Sequence, residues 1–431
     1  MNYRETVEYL FATTPSVQTV GADAYKPGLE RVAEFCRALG NPQNNFVTVH
    51  VSGTNGKGST SHMLASILQH AGYRVGLFTS PHLKDFRERM RVDGEMISEQ
   101  RVVDFVAQHF KQIQSLGLSF FEITAAMAFD YFASQDVEVA VIETGLGGRL
   151  DATNLITPLV SVITNIGLDH TDLLGSTLGA IAAEKAGIIK HGVPVVVGER
   201  DEECDEVFVA KANAESAPLY FAQQCFTLLG KATSGGKQCF ELRRERDGAE
   251  FDVELDLLGE YQSHNVLTAS TALDVLHCSS PLTIPRHAYL EGFASAAATT
   301  RLVGRWQVLE QQPMVVCDTG HNAHGLKYVT HQLEQLIAVH NKVVCVLGFA
   351  REKNLDEVLP LLPKQAHYIF TQASSPRALP AEELARQGAI AGLNGEVVAS
   401  VAMALAHAKS IVGKADAIFV GGSNFVVAEI L

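Results

Sequence analysis

Short apolar runs alternate along this chain with longer segments in which apolar positions recur at helical spacing. Residues 46–51 (FVTVHV) form the first apolar run, and residues 59–71 place their apolar side chains on one helical face that ends at Gly72. This alternation predicts βαβ units that build a mostly parallel sheet with flanking helices. The other strands are expected at 74–78, 137–142, 159–164 and 193–197, and a further helix at 123–133.

Residues 237–257 interrupt this rhythm. Two strand-like stretches flank Asp247-Gly248 and predict an antiparallel hairpin on the main sheet, followed by a helix over 265–276. Residues 293–300 (FASAAATT) are small and featureless, which is typical of a domain junction. The strand–helix alternation then restarts and predicts a smaller, Rossmann-like α/β domain. We therefore expect an α/β protein with domains at 1–297 and 298–431.

Composition and charge narrow the class of protein. The chain has 431 residues and a formal net charge of -14, which argues against binding nucleic acid by general electrostatics. No apolar run approaches the roughly 18 residues of a membrane-spanning helix. The seven cysteines are scattered without a C-x-x-C pair, as expected in a reducing cytoplasm. We therefore expect a cytoplasmic protein with neither nucleic-acid nor membrane partners.

Residues 53–60 (GTNGKGST) lie between a predicted strand and a predicted helix, where a phosphate-binding loop belongs. Only two residues separate Gly53 from the following Gly-Lys pair, so the usual spacing of such loops is not met. Glycines let backbone N–H groups face an anion, and Lys57 can reach the outer phosphates. The hydroxyl of Ser59 or Thr60 can hold Mg²⁺. The alternative is a glycine-rich turn with a solvated lysine.

Two more predicted strands are followed by polar residues suited to a metal–nucleotide complex. Glu143 ends the strand at 137–142, and strand C-termini line the ligand crevice of open α/β sheets. His170 follows the strand at 159–164, and neutral imidazole is a metal ligand. Taken alone, Glu143 also fits a solvated residue before a turn, and His170 a hydrogen-bonded loop residue.

Other candidates carry weaker signals. Lys185 is expected at the start of a helix beside Glu184, and its residue pattern alone favours a surface lysine. In the second domain Asp318 follows a strand, His321 comes shortly after it, and Arg305 lies upstream. These three side chains suit a cluster that closes over a nucleotide, and a simple turn at Asp318 is the alternative.

Together, eight motifs carry a family resemblance. They are GTNGKGS (53–59), TSPHL (79–83), SFFEITAAMAF (119–129), GLGGRLDATN (145–154), LDHTDLLG (168–175), EKAGIIK (184–190), GEYQSHN (259–265) and DTGHN (318–322). In this order and spacing they resemble folylpolyglutamate synthase/dihydrofolate synthase, which belongs to the Mur ligase superfamily. In that superfamily the phosphate loop reads G-x-x-G-K-G-[ST], as it does here. One departure is small: the family's Asp-Gly-Ala-His-Asn is here Asp318-Thr-Gly-His-Asn.

The resemblance implies a role for each candidate residue. The implied catalytic residues are Lys57, Glu143, His170, Lys185, Arg305 and His321. The implied ATP-binding residues are Thr54, Asn55, Gly56, Lys57, Gly58, Ser59, Thr60, Asn265, Arg305 and Asp318. Two Mg²⁺ ions are implied at Ser59, Glu143, His170 and Lys185, the lysine being carbamylated by CO₂. The implied pterin pocket is lined by Ser119, Phe120, Phe121, Glu122, Leu150, Asp151 and Ala152.

The reaction implied by the resemblance is an ATP-dependent amide ligation. L-Glutamate is added to dihydropteroate and to reduced folate glutamates through an acyl phosphate, and the smaller domain is expected to bind glutamate. Folylpolyglutamate synthesis without dihydrofolate synthesis is an alternative. A cell-wall Mur-type ligase is disfavoured, because such enzymes carry an extra N-terminal domain and the phosphate loop here begins by residue 53. A non-catalytic nucleotide-binding protein is disfavoured by the metal-type residues. The resemblance also implies a monomer.

Overall fold

The computed structural model describes residues 1–14 and 28–431. The chain forms two compact units. The first unit contains Met1–Asp256 and Gln262–Leu302, and the second contains Leu257–Tyr261 and Val303–Leu431. The chain therefore passes from one unit to the other three times, and the short segment Leu257–Tyr261 belongs to the second unit although its neighbours on both sides belong to the first.

The first unit is built on an eight-stranded sheet with the order β4-β3-β2-β5-β1-β6-β7-β8. All of its pairs are parallel except those that β3 makes with β2 and β4. The strands are β1 Val47–Ser52, β2 Val75–Phe78, β3 Met90–Val92, β4 Glu95–Met96, β5 Val139–Glu143, β6 Val160–Ile163, β7 Val195–Val197 and β8 Leu219–Phe221. The mostly parallel sheet is as predicted, and its central strands are buried on both faces, which explains their continuous apolar runs.

Helices cover the sheet of the first unit. Those described are α1 Tyr3–Thr13, α2 Glu30–Ala38, α3 Lys57–His70, α4 Glu99–Leu116, α5 Phe120–Ser134, α6 Thr171–Leu174, α7 Leu178–Ala186, α8 Glu202–Ala214, α9 Ala222–Cys225, α10 Gln262–Ser279, α11 Arg286–Ala294 and α12 Ala296–Thr300. The α5 helix packs its aromatic residues on the sheet face that carries Ala140 and Ile142. Helix α3, expected to bury one face, is instead buried on all sides from Ser59 to Leu68.

Two sequence-based expectations for this unit need correction, and a third segment proves to be helical. The predicted hairpin forms, but it belongs to a separate antiparallel sheet of β9 Phe226–Ser234, β10 Lys237–Arg244 and β11 Ala249–Leu255, not to the main sheet. Residues 293–300 are helical and lie on α3, where His62 contacts Thr300 at 2.7 Å. Small residues there permit close packing between helices, and the first unit ends two residues later, at Leu302. Lys185 lies near the end of α7, not at a helix start, and is buried.

The second unit is a six-stranded sheet with the order β12-β13-β17-β14-β15-β16, parallel except for β12. Alternate residues of β13 face two different apolar clusters, so helices cover both faces as in a Rossmann-like fold. Its strands are β12 Gln307–Gln311, β13 Met314–Asp318, β14 Val343–Leu347, β15 His367–Phe370, β16 Gly395–Val397 and β17 Ala417–Gly421. Its helices are α13 Ala323–Val339, α14 Leu355–Val358, α15 Ala381–Ile390, α16 Val401–Ser410 and α17 Asn424–Ala428.

Candidate active site

The glycine-rich loop connects the end of β1 to the start of α3, as the sequence predicts. Gly56 has a φ of 79°, in the left-handed region, and directly precedes the first helical residue, Lys57. A Cβ atom at Gly56 would collide with the side-chain oxygen of Asn265. The first-turn N–H groups of a helix have no partner within the helix and favour an anion. The loop therefore has a backbone that suits an anion, and Lys57 is not simply solvated, because its Nζ donates to two carbonyls of the loop.

The chain after β6 anchors the first half of this loop. Thr164 Oγ1 donates to Asn55 O at 2.5 Å, and Asn165 Oδ1 accepts the Asn55 N–H at 2.9 Å. Thr54 N donates to Asn165 O at 3.0 Å, and the Thr54 hydroxyl exchanges hydrogen bonds with Gly167. The Asn55 N–H is thus directed at protein, and the donors suited to a phosphate begin at Gly56.

Two lysines converge on one carbonyl oxygen of the loop. Lys57 Nζ donates to Gly53 O at 2.9 Å and to Thr54 O at 3.2 Å, and Lys185 Nζ donates to the same Gly53 O at 2.7 Å. Burial, reinforced by the charge of Lys57, lowers the pKa of Lys185 well below its usual range, while Asp169 opposes the shift. Lys185 is therefore a buried amine at the phosphate loop, and its sequence-based interpretation as a surface lysine is wrong.

Helix α10 contacts the first turn of α3. Gln262 Nε2 donates to Ser59 Oγ at 3.2 Å, and Asn265 Nδ2 donates to Gln262 Oε1 at 2.8 Å. Asn265 Oδ1 also lies 3.5 Å from Thr60 Oγ1. The structure thus gathers Ser59, Thr60 and Asn265 at one place, as the predicted ATP site requires, and adds Gln262.

Glu143 is the last residue of β5 and is only 3% exposed, which excludes a solvated glutamate. Its Oε2 accepts the Ser80 N–H at 2.9 Å, and its charge acts on the buried guanidinium of Arg89. Burial lowers the pKa of Arg89 to about 10, and Glu143 partly offsets that shift. Arg89 Nε donates to His82 Nδ1 at 2.8 Å, so this imidazole is held with Nδ1 unprotonated.

His170 is exposed and has a φ of 52°, directly before α6. Its backbone N–H donates to Asp169 Oδ1 at 3.0 Å. Within residues 1–14 and 28–431, no three His, Cys, Asp or Glu side chains come close enough together to form a metal cluster. The structure therefore places Ser59 and Lys185 at the phosphate loop and Glu143 at an adjacent strand end, while His170 lies on an exposed turn.

The segment at the start of α5 is well ordered by its own capping bonds. Ser119 and Glu122 form a reciprocal capping box, and Glu122 also accepts from Arg31 Nε at 3.2 Å. The ring of Phe120 is buried and stacks on Phe11 with centroids 4.5 Å apart. The ring of Phe121 is partly exposed and rests against the backbone of Gly145. Of the four side chains from Ser119 to Glu122, Phe121 is the one that is partly exposed.

The 150–152 segment is organised by a buried carboxylate. Asp151 Oδ2 accepts the N–H groups of Gly145 and Leu146 at 2.9 Å each, and Oδ1 accepts both the N–H and the hydroxyl of Thr153. Ala152 is buried and Leu150 is partly exposed. Four hydrogen bonds within its own loop make Asp151 a residue that shapes this loop rather than one that reaches outward.

In the second unit, Asp318 ends β13 and is 2% exposed. Its Oδ2 accepts from the Tyr261 hydroxyl at 2.6 Å and from the Trp306 N–H at 2.7 Å, and Oδ1 accepts the Gly320 N–H at 2.7 Å. Burial raises the pKa of Asp318, while these bonds and the charge of Arg305 oppose the shift. His321 Nδ1 lies 2.9 Å from Thr319 O. Asp318, Arg305 and His321 thus lie around one turn, as expected.

The sequence did not identify several residues that hold this site. Thr164 and Asn165 lie at the end of the predicted strand at 159–164, just before the motif that contains His170, and that position at a strand end was the available signal. Tyr261 and Gln262 precede Asn265 in GEYQSHN, but nothing in that pattern shows which contacts they make. Arg89 looks like one of several surface arginines, because burial of a charged residue cannot be read from composition.

Comparison with known proteins agrees with this geometry. Residues 51–273 match the Mur ligase middle domain, and residues 304–424 match the Mur ligase, glutamate ligase domain. The dihydrofolate synthase/folylpolyglutamate synthase of Bacillus subtilis (strain 168) is 35% identical over 83% of this chain and 84% of its own length. The Escherichia coli (strain K12) protein of the same name is 32% identical over 94% of this chain and 90% of its own length.

Solved structures agree over the whole chain. The Mycobacterium tuberculosis folylpolyglutamate synthase complexed with ADP superposes with a TM-score of 0.88 at 29% identity, covering 100% of this chain and 98% of its own. The E. coli protein in complex with DHPP and ADP gives a TM-score of 0.84 at 30% identity, covering 100% and 97%. Both the mostly parallel first sheet and the second α/β unit are shared.

The fold, the phosphate loop and these matches define an ATP-dependent carboxylate–amine ligase of the Mur ligase type, as the sequence predicts. Within that class, the chain belongs to the dihydrofolate synthase/folylpolyglutamate synthase family.

Among the described helices, none combines the length and the apolar character that a membrane-spanning segment requires.

Proposed function

We propose that this enzyme adds L-glutamate to dihydropteroate and to reduced folate glutamates, using ATP to activate the acceptor carboxylate. The main support is the phosphate loop with two lysines on the Gly53 carbonyl, in a chain whose relatives are named for both synthase activities. The complexes of relatives with ADP support the choice of nucleotide. Folylpolyglutamate synthesis alone is the second candidate, because one relative, from Lacticaseibacillus casei, is named only for that activity.

We also propose that Mg²⁺ accompanies the nucleotide, held by Ser59, Glu143, His170 and a carbamylated Lys185. Three of these four donors fit a hard cation, since a hydroxyl, a carboxylate and carbamate oxygens are ligands that Mg²⁺ accepts, while the imidazole of His170 is a softer ligand. The buried Lys185 amine supports carbamylation, because only an uncharged amine reacts with CO₂ and burial favours that form. Bound magnesium would neutralise phosphate charge during phosphoryl transfer.

The side chains of this enzyme then have distinct tasks. A carboxylate is a poor acylating agent, so transfer of the γ-phosphoryl group must first give an acyl phosphate. The glutamate amine attacks its carbonyl, and the tetrahedral intermediate loses a proton and expels phosphate to leave the amide. Backbone N–H groups from Gly56 onward and Lys57 bind and orient the phosphates. Arg305 and His321, beside Asp318 in the second unit, are assigned to stabilising charge on the nucleotide.

For the acceptor, Phe121 offers an aromatic surface beside the loop that Asp151 shapes. The residues beside Phe121 and beside Asp151 would form the walls of a pterin pocket. The choice between acceptor substrates would depend on where these residues lie. The start of α5 would be held rigid by Ser119, Phe120 and Glu122. The pocket itself would be lined by Leu150 and Ala152.

Phosphate release with ATP, Mg²⁺ and L-glutamate tests this proposal, with dihydropteroate compared against tetrahydrofolate as acceptor. Turnover with both acceptors is expected and establishes a bifunctional enzyme. Turnover with tetrahydrofolate alone would leave a polyglutamylase. No turnover with either, in a folded protein that binds ATP, would contradict the assigned substrates.

We further propose a cytoplasmic monomer. All seven cysteines are free in the structure, which supports a reducing compartment. The mass in solution, measured by light scattering across a range of protein concentrations, tests the monomer against about 47 kDa for one chain.

A further inference from the structure

Main-chain pairing continues beyond β7 and fixes the start of one glutamate side chain. The Gly198 N–H donates to Ile163 O at 2.8 Å, and the Glu199 N–H donates to Thr164 O at 2.9 Å. A Cβ atom at Gly198 would collide with Thr164 O and with Thr268 Oγ1, so only glycine allows this close approach. The backbone of Glu199 is therefore held against the segment that anchors the phosphate loop.

The Glu199 carboxylate orients the amide of Asn165. Glu199 Oε1 accepts from Asn165 Nδ2 at 2.7 Å, and Asn165 Oδ1 accepts the Asn55 N–H at 2.9 Å. An amide has one oxygen and one NH₂ group, so a carboxylate on one side decides which group faces the other. In the flipped orientation, Asn165 would place its oxygen against the carboxylate and its NH₂ against the Asn55 N–H, and both contacts would be repulsive.

The same carboxylate also approaches the residue that precedes Asn265. Glu199 Oε2 lies 3.7 Å from His264 Nδ1, and Glu199 is 18% exposed at its side chain. Asn265 in turn lies against Gly56 and Thr60 of the phosphate loop. Glu199 thus contacts Asn165, which anchors the first half of the loop, and lies near His264, the helical neighbour of Asn265.

We propose that Glu199 is a positioning residue of the nucleotide site, acting through Asn165 on the backbone of the phosphate loop. This inference rests on the proposed ATP site and adds a residue to it. Asn165 Oδ1 accepts the Asn55 N–H. The orientation of the Asn165 amide therefore determines where the loop turns and where the N–H groups from Gly56 onward point. If the loop is misoriented, the protein should bind a nucleoside diphosphate weakly. Its affinity for the folate acceptor should not change.

The first test compares Glu199→Ala with wild type in ADP binding by calorimetry and in steady-state kinetics. We expect about 10-fold weaker ADP binding and a similar rise in KM for ATP, the scale for one hydrogen bond to a charged group. The KM for the folate acceptor should not change. Glu206→Ala, which removes an exposed glutamate from α8 and changes the net charge equally, is the control and should bind ADP like wild type.

The second test reverses the hydrogen bond with nearly isosteric changes that preserve the fold. Asn165→Asp should weaken ADP binding, because two carboxylates then face each other. Adding Glu199→Gln should restore most of the affinity. In that double variant the new amide donates to one oxygen of the introduced carboxylate, while the other oxygen accepts the Asn55 N–H.

Each outcome is decisive. Recovery in the double variant shows that the two side chains act on ADP binding as a pair, and an unchanged KM for the folate acceptor in Glu199→Ala separates the positioning role from a general loss of stability. Unchanged ADP affinity in Glu199→Ala, or a double variant no better than Asn165→Asp, would overturn the inference. A wild-type protein that binds no ADP would overturn the proposed function itself, which distinguishes the two failures.

Discussion

At the scale of single residues, the site depends on groups whose environment changes their ordinary chemistry. Lys57 and Lys185 share one carbonyl oxygen, and Gly56 adopts a left-handed conformation against Asn265. Asp151 satisfies four donors within its own loop. None of these residues could be exchanged for a similar one without disturbing a neighbour, and two substitutions test this directly.

Gly56→Ala should damage the phosphate loop more than its backbone strain alone predicts. An alanine at positive φ costs about 1–2 kcal/mol, and here the added methyl also meets the Asn265 side chain. We expect ADP affinity to fall by at least ~10-fold, a free-energy loss of the same scale. Gly235→Ala is the matched control, because Gly235 has a φ of 60° with open space around its Cα. Equal ADP binding by the two variants would contradict this account.

Lys185→Ala should abolish most turnover, by about 10²-fold or more, if its carbamate supplies metal ligands. Formate or acetate should restore part of the activity, because a small carboxylate can occupy the space of the lost carbamate oxygens. Lys190→Ala is the control, since Lys190 also donates to a backbone carbonyl, Asn154 O, at 3.0 Å. Wild-type activity in Lys185→Ala would exclude the carbamate, and rescue of both variants by formate would show that the effect is unspecific.

At the scale of elements, the segment Leu257–Tyr261 is attached to α13 and β13 in the second unit. Gln332 contacts both the Leu258 carbonyl and the Glu260 N–H, and the Tyr261 hydroxyl reaches Asp318. The next residue, Gln262, begins α10 in the first unit and bonds to Ser59. Consecutive residues therefore support the predicted nucleotide contacts of each unit.

Tyr261→Phe removes the hydroxyl and leaves the ring in place, so it tests this arrangement. Asp318 would keep the N–H groups of Trp306 and Gly320 but lose its only described side-chain hydroxyl donor. We expect the KM for ATP to rise about 3- to 10-fold with little change in the KM for the folate acceptor. Tyr368→Phe removes another buried hydroxyl bond, to Pro363 O at 2.6 Å, and should leave the KM for ATP unchanged. An equal KM for ATP in Tyr261→Phe and Tyr368→Phe would contradict the prediction.

Strands and turns could be predicted from the sequence where the local pattern of apolar, polar and turn residues determines the structure. The strands before the phosphate loop and before Glu143 follow from continuous apolar runs, and the hairpin follows from Asp247-Gly248. Which sheet that hairpin joins depends on contacts distant in sequence, so the expectation of the main sheet was wrong. Lys185 was misplaced for the same reason, because burial of a charged residue depends on tertiary packing rather than on its neighbours in the chain.

At the scale of the whole molecule, the two units carry different spectroscopic and titration signals. Trp306 is the single tryptophan and is buried in the core of the second unit, with its ring 5.7 Å from Phe419. Burial lowers the pKa of His50 to about 3, and it also lowers the pKa of His82; both histidines lie in the first unit. Tryptophan fluorescence therefore reports on the second unit, while circular dichroism reports on both.

Acid should destabilise the first unit selectively. Below about pH 6.5 the unfolded His50 side chain binds a proton that the folded side chain rejects, so stability falls as the pH drops toward the folded pKa. At about pH 4.5 this costs roughly 2–3 kcal/mol. The raised pKa values of Asp151 and Asp256 in the first unit and of Asp318 in the second favour the folded state in acid, so they offset part of the His50 effect.

Urea unfolding at about pH 7 and at about pH 4.5, followed by circular dichroism and by Trp306 fluorescence, checks this prediction. At the lower pH the dichroism transition should begin at lower urea than the fluorescence transition, since probes that report different units need not coincide. His50→Gln keeps a partner for the Thr153 hydroxyl but cannot titrate, so it should narrow the gap between the two transitions. Coincident transitions at both pH values, or an unchanged gap in His50→Gln, would show that the units unfold together or that another group controls acid stability.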